Sequence, residues 1–297
     1  MNVLITGGTG FIGSRLVQKL VEEDCQVYVL TRYPNQYKNT EHVTYIGYQF
    51  PLKRLPTIHA VVNLAGESLF GYWTDNKKKQ ILATRLSITD KVVQMMTQME
   101  IKPKVFVSGS AVGYYGMDET TIFTENTTKP GEDFLASVTE KWEKTAQIAE
   151  DLGVRTVYAR FGVVLDRNFG ALPMMALPIK FFLGGKIGSG TQWISWIHID
   201  DCIHLLMAII RDDSFKGPVN ITSPNPVTNE QFTKQLAQIL LRPAFVTAPS
   251  PFLRIALGEM HQLITKGQYV YPKKALDNQF SFTFPYLKDA LKNIYKK

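Results

Sequence analysis

The sequence is poor in cysteine and has no long apolar run. Its 297 residues include only two cysteines, Cys25 and Cys202, which lie far apart along the chain. Two distant thiols argue against a disulfide framework and suit a reducing compartment, so we expect a cytoplasmic protein. No apolar stretch approaches the roughly 20 residues of a membrane-spanning helix, and we expect no membrane partner. A strand-like stretch follows Met1 directly, which leaves no room for a signal peptide.

Metal-binding and nucleic-acid-binding patterns are also missing. The five histidines are scattered, and no His, Cys or acidic cluster has the spacing of metal ligands, so we predict no metal. The net charge of +7 would suit a nucleic-acid binder. However, the basic residues are scattered, and the one tight run, Lys77–Lys79, suits a solvated helix face. We therefore expect no nucleic-acid partner and interpret the surplus charge as favouring small anionic ligands.

The chain has the composition of a globular protein with a sizeable core, at 45% hydrophobic and 20% charged residues. Strand and helix patterns alternate through residue 160, which predicts a Rossmann-like, doubly wound parallel sheet in residues 1–160. Residues 161–297 are predicted to form a smaller α/β lobe for the substrate, interleaved with the sheet around 196–221. Predicted strands are 2–6, 26–31, 43–46, 60–64, 104–108, 155–160, 196–199, 219–221 and 280–284. Predicted long helices are 134–152, 200–210, 229–241, 252–264 and 286–294, with another from about residue 74.

The strongest motif is the glycine turn between the first strand and the first helix. Gly7 allows a tight turn, Gly10 lets the backbone approach a pyrophosphate, and Gly13 lets the helix lie close to the strand. The helix N-terminus offers unpaired N–H groups to phosphates. The motif therefore predicts a dinucleotide site, against the alternative of a plain strand-to-helix turn. The neighbouring residues expected to contact the cofactor are Thr9, Phe11 and Ile12.

The end of the second strand indicates which dinucleotide binds. An acidic residue there would bind the ribose 2′-hydroxyl of NAD, but this chain has Thr31 and Arg32. An arginine suits a 2′-phosphate, so NADP(H) is favoured over NAD(H). The alternative is an ordinary surface arginine in a loop.

Two further strand ends complete the predicted cofactor site. Leu64 ends the fourth strand and is expected to contact the cofactor together with Ala65 and Gly66, which follow it; small residues there leave space for adenine and ribose, although they also suit a simple strand end. The fifth strand ends at Ser108 and runs into Ser110, where such folds place their chemistry. We expect Ser108 to contact the cofactor.

Several longer strings resemble a known family. They include Asn63-Leu-Ala-Gly66, Ser108-Gly-Ser-Ala-Val-Gly-Tyr-Tyr-Gly116, Arg160-Phe-Gly-Val and Trp196-Ile-His-Ile-Asp-Asp201. With the glycine turn, they are similar to the extended short-chain dehydrogenase/reductases of the NAD(P)-dependent epimerase/dehydratase superfamily. The match covers essentially the whole chain. Within that superfamily, the chain more narrowly resembles the atypical, sugar-nucleotide epimerase-like group. The resemblance implies a nucleotide across the sheet, with Arg160 at its site, and a substrate under the C-terminal lobe.

The same resemblance implies a catalytic Ser or Thr after the fifth strand and a Tyr-x-x-x-Lys pair on the next helix. Ser110 matches the serine. The helix, however, has Leu135 and Thr139 at the two remaining positions, and Lys141 has no tyrosine four residues before it. A leucine cannot transfer a proton, so the ordinary mechanism is absent.

Other residues are candidates for the role of the missing Tyr-x-x-x-Lys pair. Tyr114 follows Ser110 closely and is a tentative catalytic residue, although packing or substrate contact also explains it. Glu67 is a candidate base or substrate contact, or an exposed loop carboxylate. Three further residues are candidate substrate contacts: Trp193, Trp196 and His198. The alternative for the two tryptophans is core packing, and the alternative for His198 is a capping or core role.

Two functions follow from these observations. The first is an NADP(H)-dependent oxidoreductase or epimerase acting on a small carbonyl or alcohol, free or linked to a nucleotide, without the Tyr-x-x-x-Lys pair. The second is a catalytically silent NADP(H)-binding sensor or regulatory protein. The missing pair favours the sensor and the elaborate C-terminal lobe favours the enzyme. The expected assembly is a monomer or a homodimer.

Overall fold

A computed structural model describes residues 1–248, 255 and 258–295. The strands are β1 (Asn2–Thr6), β2 (Gln26–Leu30), β3 (Val43–Ile46), β4 (Ala60–Asn63), β5 (Val105–Ala111), β6 (Asp118–Phe123), β7 (Arg155–Phe161), β8 (Val163–Leu165), β9 (Trp193–Ile194), β10 (Trp196–His198), β11 (Gly217–Ile221), β12 (Val227–Thr228) and β13 (Gln268–Val270). The longer helices are α1 (Phe11–Glu22), α2 (Asp75–Gln98), α3 (Phe134–Gln147), α4 (Leu172–Lys180), α5 (Ile199–Arg211) and α6 (Asn229–Leu240). Shorter α-helices span Gln262–Thr265 and Lys273–Asp277, and a last helix spans Leu287–Tyr295.

Seven parallel strands form the central sheet in the order β11-β7-β5-β4-β1-β2-β3. The chain winds outward from β1 in one direction through β2 and β3, and in the other through β4, β5, β7 and β11. The strand order therefore reverses between β1 and β4, where Ile5 pairs with Val29 on one side and Val62 on the other. Such a switch point leaves a crevice at the carboxyl ends of the strands.

Helices cover both faces of the sheet. On one face, Ile5 packs in a cluster with Leu16 of α1 and Leu206 of α5. On the other, Phe106 packs in a cluster with Val92 of α2. Because both faces are buried, the strands are nearly continuous apolar runs, as parallel sheets require. The predicted Rossmann-like fold is confirmed.

A smaller lobe follows the sheet. Its core joins α4, α6 and the last helix through a cluster that includes Leu172, Phe232 and Leu291. Three two-stranded ribbons accompany it, pairing β8 with β10, β9 with β12 and β6 with β13. Residues 199–221, in contrast, form α5 and β11, and β11 is the strand of the central sheet next to β7. The boundary at residue 160 stays a prediction.

The predicted strand at 280–284 is wrong. Its alternation reflects packing instead: Phe280 and Phe282 pack against the main core cluster. The backbone N–H groups of Thr283 and Phe284 donate to the carboxylate of Asp201 at 2.8 Å each, in place of a neighbouring strand.

Two predicted helices also differ. The helix predicted over 134–152 ends as α3 at Gln147 and continues as a 3₁₀ helix, Ile148–Leu152. The helix predicted over 252–264 falls partly outside the described residues, and its described part is a 3₁₀ turn, Gly258–His261, leading into Gln262–Thr265.

A buried polar chain ties the sheet to α2 and α3. The hydroxyl of Thr6 donates to Asn63 Oδ1, and Asn63 Nδ2 donates to the Thr89 hydroxyl at 2.8 Å. The indole N–H of Trp142 donates to the same Thr89 oxygen at 2.8 Å. One hydroxyl of α2 therefore accepts from both β4 and α3, next to the strand ends that form the crevice.

Replacing this hydroxyl is expected to cost stability. Thr89→Val keeps the side-chain shape but leaves two buried donors without their acceptor, so the free energy of unfolding should fall by about 2 kcal/mol or more. Urea unfolding measures this. The control is Thr97→Val, at an exposed threonine of the same helix, which should change stability by less than about 0.5 kcal/mol. Equal stability of the two variants would contradict the role of the Thr89 network.

Candidate functional site

The glycine turn brings three backbone segments into direct contact. Gly7 has φ +70°, and a Cβ there would lie 2.7 Å from the carbonyl carbon of Leu64. A Cβ on Gly13 would lie 2.1 Å from the carbonyl oxygen of Gly7. The end of β1, the start of α1 and the segment after β4 can meet only because these side chains are absent. The structure therefore brings the predicted turn together with the predicted segment Leu64–Gly66.

The N-terminus of α1 opens into the crevice without a side-chain cap. Gly10 is the N-cap, and its N–H donates to Gly7 O at 2.9 Å, which closes the turn. The first regular helical bond runs from Ser14 N to Gly10 O. The N–H groups of Phe11, Ile12 and Gly13 thus lack intrahelical acceptors and form the positive end of the helix. Thr9, next to them, is exposed.

Arg32 is an exposed cation at the end of β2. Its guanidinium lies 5.8 Å from the ring centre of Tyr33, and it makes no ion pair with any described residue. Its charge reaches Glu67, after β4: the pKa of Glu67 is lowered first by a hydrogen bond and the charge of Lys77, and further by Arg32 and Arg85. The strand ends around the switch point therefore carry an excess of positive charge.

Glu67 and Arg85 stand beside Gly66. The Glu67 carboxylate accepts from Lys77 Nζ at 2.7 Å, while Arg85 Nη1 donates to the backbone oxygen of Glu67 at 2.9 Å. Burial lowers the pKa of Arg85 to about 10, against the opposing charge of Glu67. A Cβ on Gly66 would lie 3.4 Å from the Arg85 guanidinium, so the chain is tightly packed there.

Ser110, at the end of β5, belongs to a buried charged cluster. Its hydroxyl donates to Glu143 Oε1 at 2.6 Å. Arg160 of β7 donates to the same carboxylate from Nε and Nη2, each at 2.8 Å. All three side chains are buried. Burial disfavours the charge of Arg160, but the hydrogen bonds and charge of Glu143 outweigh it and raise the Arg160 pKa above its usual range.

Two tyrosines cover this cluster with their rings. The Arg160 guanidinium lies 3.5 Å from the ring centre of Tyr114 and 4.9 Å from that of Tyr115. The Tyr114 hydroxyl donates to Thr128 O at 2.6 Å, and the Tyr115 hydroxyl donates to Asn220 Oδ1 at 2.7 Å. Burial raises the pKa of Tyr114, and it raises that of Tyr115 to about 12. Both phenolic protons are therefore held in structural hydrogen bonds.

Leu135 and Thr139, which stand where the resemblance implies a tyrosine and a lysine, offer no proton donor. Leu135 packs beside an apolar cluster that contains Trp73 and Met260. The hydroxyl of Thr139 donates back to Leu135 O at 2.8 Å. Glu143 follows on the same face of α3, eight residues after Leu135, and is the ionisable side chain that contacts Ser110.

Comparison with known proteins decides the family. A model of the NAD dependent epimerase/dehydratase family matches residues 3–222. The chain belongs to this family. A model of a domain of unknown function (DUF1731) matches residues 248–294. The resemblance drawn from the sequence strings is thereby confirmed.

Relatives cover the whole chain. The epimerase family protein YfhF of Bacillus subtilis is 43% identical over 297 residues, which are 99% of this chain and 98% of that protein. The crystal structure of human epimerase family protein SDR39U1 with NADPH is 32% identical, with a TM-score of 0.90 over 100% of both chains. UDP-glucuronic acid 4-epimerase from Bacillus cereus, in complex with NAD, has a TM-score of 0.76 over 99% of this chain and 97% of that one. At 18% identity, that likeness shows the fold alone.

Within this family fold, Trp193, Trp196 and His198 make no hydrogen bond or ion pair with the charged cluster among the described residues. Trp196 is fully buried in the core of the lobe, where its indole N–H donates to Asn225 O. His198 is the N-cap of α5: Nδ1 accepts from Asp200 N at 3.1 Å, and burial lowers the His198 pKa. Trp193 is half-buried and donates to Glu119 O.

Ser108 is buried in the middle of β5, and among the described residues its hydroxyl makes only a long 3.4 Å contact with Gly109 O. Glu143 is the site residue that sequence reasoning missed. Its signal was an acid between Trp142 and Ala146, on a face of α3 that is otherwise buried.

The residues of the crevice fit a dinucleotide: the glycine turn leads into an uncapped helix N-terminus, and Arg32, which has no ion-pair partner among the described residues, adds positive charge. In the described part of the chain, no helix has both the length and the apolarity needed to span a bilayer. Nor do the described residues contain a group of three or more His, Cys, Asp or Glu side chains able to bind a metal ion.

The two helix-start glycines are expected to differ in their tolerance of a methyl group. Gly13→Ala would force the turn apart, because the new Cβ would meet Gly7 O at 2.1 Å, so the free energy of unfolding should fall by about 1–3 kcal/mol. Gly10→Ala is the matched control, since its φ of −87° is ordinary and the nearest atom lies 3.2 Å away. Urea unfolding compares them, and a Gly13→Ala variant as stable as Gly10→Ala would refute the close contact.

Proposed function

We propose that the chain is an NADP(H)-dependent oxidoreductase or epimerase acting on a small carbonyl or alcohol, free or linked to a nucleotide. The observation that carries the proposal is the pairing of two features at the carboxyl edge of one sheet. The first is an uncapped helix N-terminus beside a glycine turn, which suits a diphosphate. The second is the buried hydroxyl–carboxylate pair of Ser110 and Glu143, which suits proton handling.

The cofactor assignment rests on Arg32 and the residues of the turn. Gly7, Thr9, Gly10, Phe11, Ile12 and Gly13 would surround the diphosphate, with Leu64–Gly66 and Ser108 on the adjacent strand ends. Arg32 has no described ion-pair partner, so its guanidinium is free to bind a 2′-phosphate. The presence of NADPH in the human relative supports this choice over NAD(H).

When bound, NADP(H) supplies the hydride chemistry. The protein's own part is to orient the reacting oxygen and to move one proton. Ser110 would hydrogen-bond that oxygen, and the proton of its hydroxyl already points at Glu143. Arg160 holds the carboxylate through two hydrogen bonds, and the ring of Tyr114 shields the guanidinium. Glu143 would thus take the place of the missing tyrosine as proton acceptor, with Ser110 between it and the substrate.

A catalytically silent NADP(H) sensor is the second candidate. It is favoured by one observation: Leu135 is packed among apolar side chains at the position where the family places its tyrosine. A sensor would need the cofactor residues and no proton donor.

A screen separates the two candidates. The protein is mixed with NADPH and panels of carbonyl compounds and nucleotide sugars, and oxidation of the reduced cofactor is followed by absorbance. Turnover with one class supports the enzyme. Tight NADPH binding without turnover in any class supports the sensor, and absence of NADPH binding refutes both.

Arg32→Ala should remove the preference for the phosphorylated cofactor. Loss of a charge-assisted contact of about 1.5–3 kcal/mol should weaken NADPH binding by about 10- to 100-fold and leave NADH affinity unchanged. Fluorescence titration with each nucleotide measures both dissociation constants. Arg54→Ala, at another exposed arginine, is the control and should leave both unchanged. The same NADPH/NADH ratio in Arg32→Ala and wild type would defeat the assignment.

Ser110→Ala should slow the reaction identified by the screen while sparing cofactor affinity. Positioned proton transfer contributes about 10²- to 10⁴-fold, so a decrease in kcat of at least about 100-fold is expected. Ser87→Ala, at an exposed serine of α2, is the control. Wild-type rates in Ser110→Ala would exclude the serine from the site.

A further inference from the structure

An aromatic side chain from the lobe lies directly on the glycine turn. The ring of Phe169 stacks on that of Phe11, with centroids 5.7 Å apart and planes 18° from parallel. Phe11 is the first residue of α1, at the positive end of the helix. Phe169 nevertheless remains 55% exposed. A large apolar ring is thus held in place beside the crevice with half of its surface uncovered.

The turn that carries Phe169 is closed by several independent contacts. The Asp166 carboxylate accepts from the backbone N–H groups of Asn168, at 2.8 Å, and Phe169, at 3.1 Å. A bridge between Leu165 and Gly170 joins its two ends. These contacts fix the backbone that carries the ring before any ligand arrives, so little backbone entropy remains to be lost on binding.

Gly170 brings the turn against α1. It has φ +72°, and a Cβ there would lie 3.0 Å from Phe11 Cε1 and 3.1 Å from Val164 O. A side chain at this position would push the turn away from the helix N-terminus. The contact between lobe and glycine turn is therefore built into the backbone of residues 166–170.

We propose that Phe169 retains the bound dinucleotide by covering its diphosphate at the N-terminus of α1. This inference rests on the proposed NADP(H) site. A diphosphate on the first-turn N–H groups would meet the backbone of Phe11, the residue whose ring stacks on that of Phe169. By keeping water from these charge-assisted hydrogen bonds, the ring strengthens them and slows their rupture.

The side chain of Phe169 has no hydrogen-bonding group, and the Arg32 guanidinium lies over the ring of a different residue, Tyr33. Phe169 should therefore control how long a dinucleotide stays and not which dinucleotide binds. This separates its role from that of the arginine.

The test is a displacement experiment on the full chain. Protein loaded with NADPH is mixed rapidly with excess NADP+, and loss of bound-NADPH fluorescence gives the dissociation rate. Phe169→Ala should raise that rate at least fivefold, with an association rate within about twofold of wild type. The dissociation rate of Phe169→Leu, which keeps part of the apolar cover, should lie between those of wild type and Phe169→Ala. Asn168→Ala is the matched control from the same turn and should behave as wild type.

Each outcome bears on a different statement. Equal dissociation rates in Phe169→Ala and wild type overturn the inference. If Asn168→Ala raises the dissociation rate as much as Phe169→Ala does, the inference is also overturned, because the effect would then come from the backbone turn and not from the Phe169 ring. If wild-type protein does not bind NADPH, the proposed function fails first. Thermal unfolding of each variant confirms that the compared proteins are folded, and Phe169→Leu gives the comparison should the alanine variant unfold.

Discussion

The close contact of three backbone segments at Gly7 and Gly13 is the constraint on which the rest of the molecule depends. A Cβ at either glycine would overlap the backbone of a neighbouring segment. Because these two residues lack Cβ atoms, the end of β1, the start of α1 and the end of β4 can meet in one place, at the point where the strand order reverses. The crevice and its positive helix end follow from that contact, and Gly170 of the lobe approaches the same helix end because it has no side chain of its own.

Most of the sheet could be predicted because its signals are local. Buried parallel strands are short apolar runs bounded by turn residues, and the predicted 43–46 strand is found at Val43–Ile46. The error at 280–284 has the opposite cause. There the alternation came from packing of Phe280 and Phe282 on a core assembled elsewhere, and the backbone donors bond to Asp201, about 80 residues away. No local pattern distinguishes such a segment from a strand.

The cofactor half of the candidate site could likewise be derived from local motifs, whereas the charged cluster could not. Ser110, Glu143 and Arg160 come from a strand, a helix and another strand. Glu143 is 33 residues from Ser110 and 17 from Arg160. Its only sequence signal is an acid on an otherwise buried helix face. Trp196 and His198 show the reverse case, since motif strings drew attention to side chains that the fold uses for packing and capping.

A buried ion pair is weak support for stability, because removing two charges from water costs about as much as their attraction returns. The pair of Glu143 and Arg160 is therefore poorly explained as a device for holding β7 to α3, which the apolar cluster containing Ala146 of α3 and Tyr158 of β7 already provides. Its position explains it better. It lies at the end of β5, it binds the one hydroxyl expected at the reacting oxygen, and Arg160 Nη1 has no partner among the described residues. Under the proposed function, the cost of burying this cluster is explained by its part in proton transfer. In the sheet, β4 alone separates β5 from β1, so under the proposed function the cluster would act close to a cofactor bound at the glycine turn.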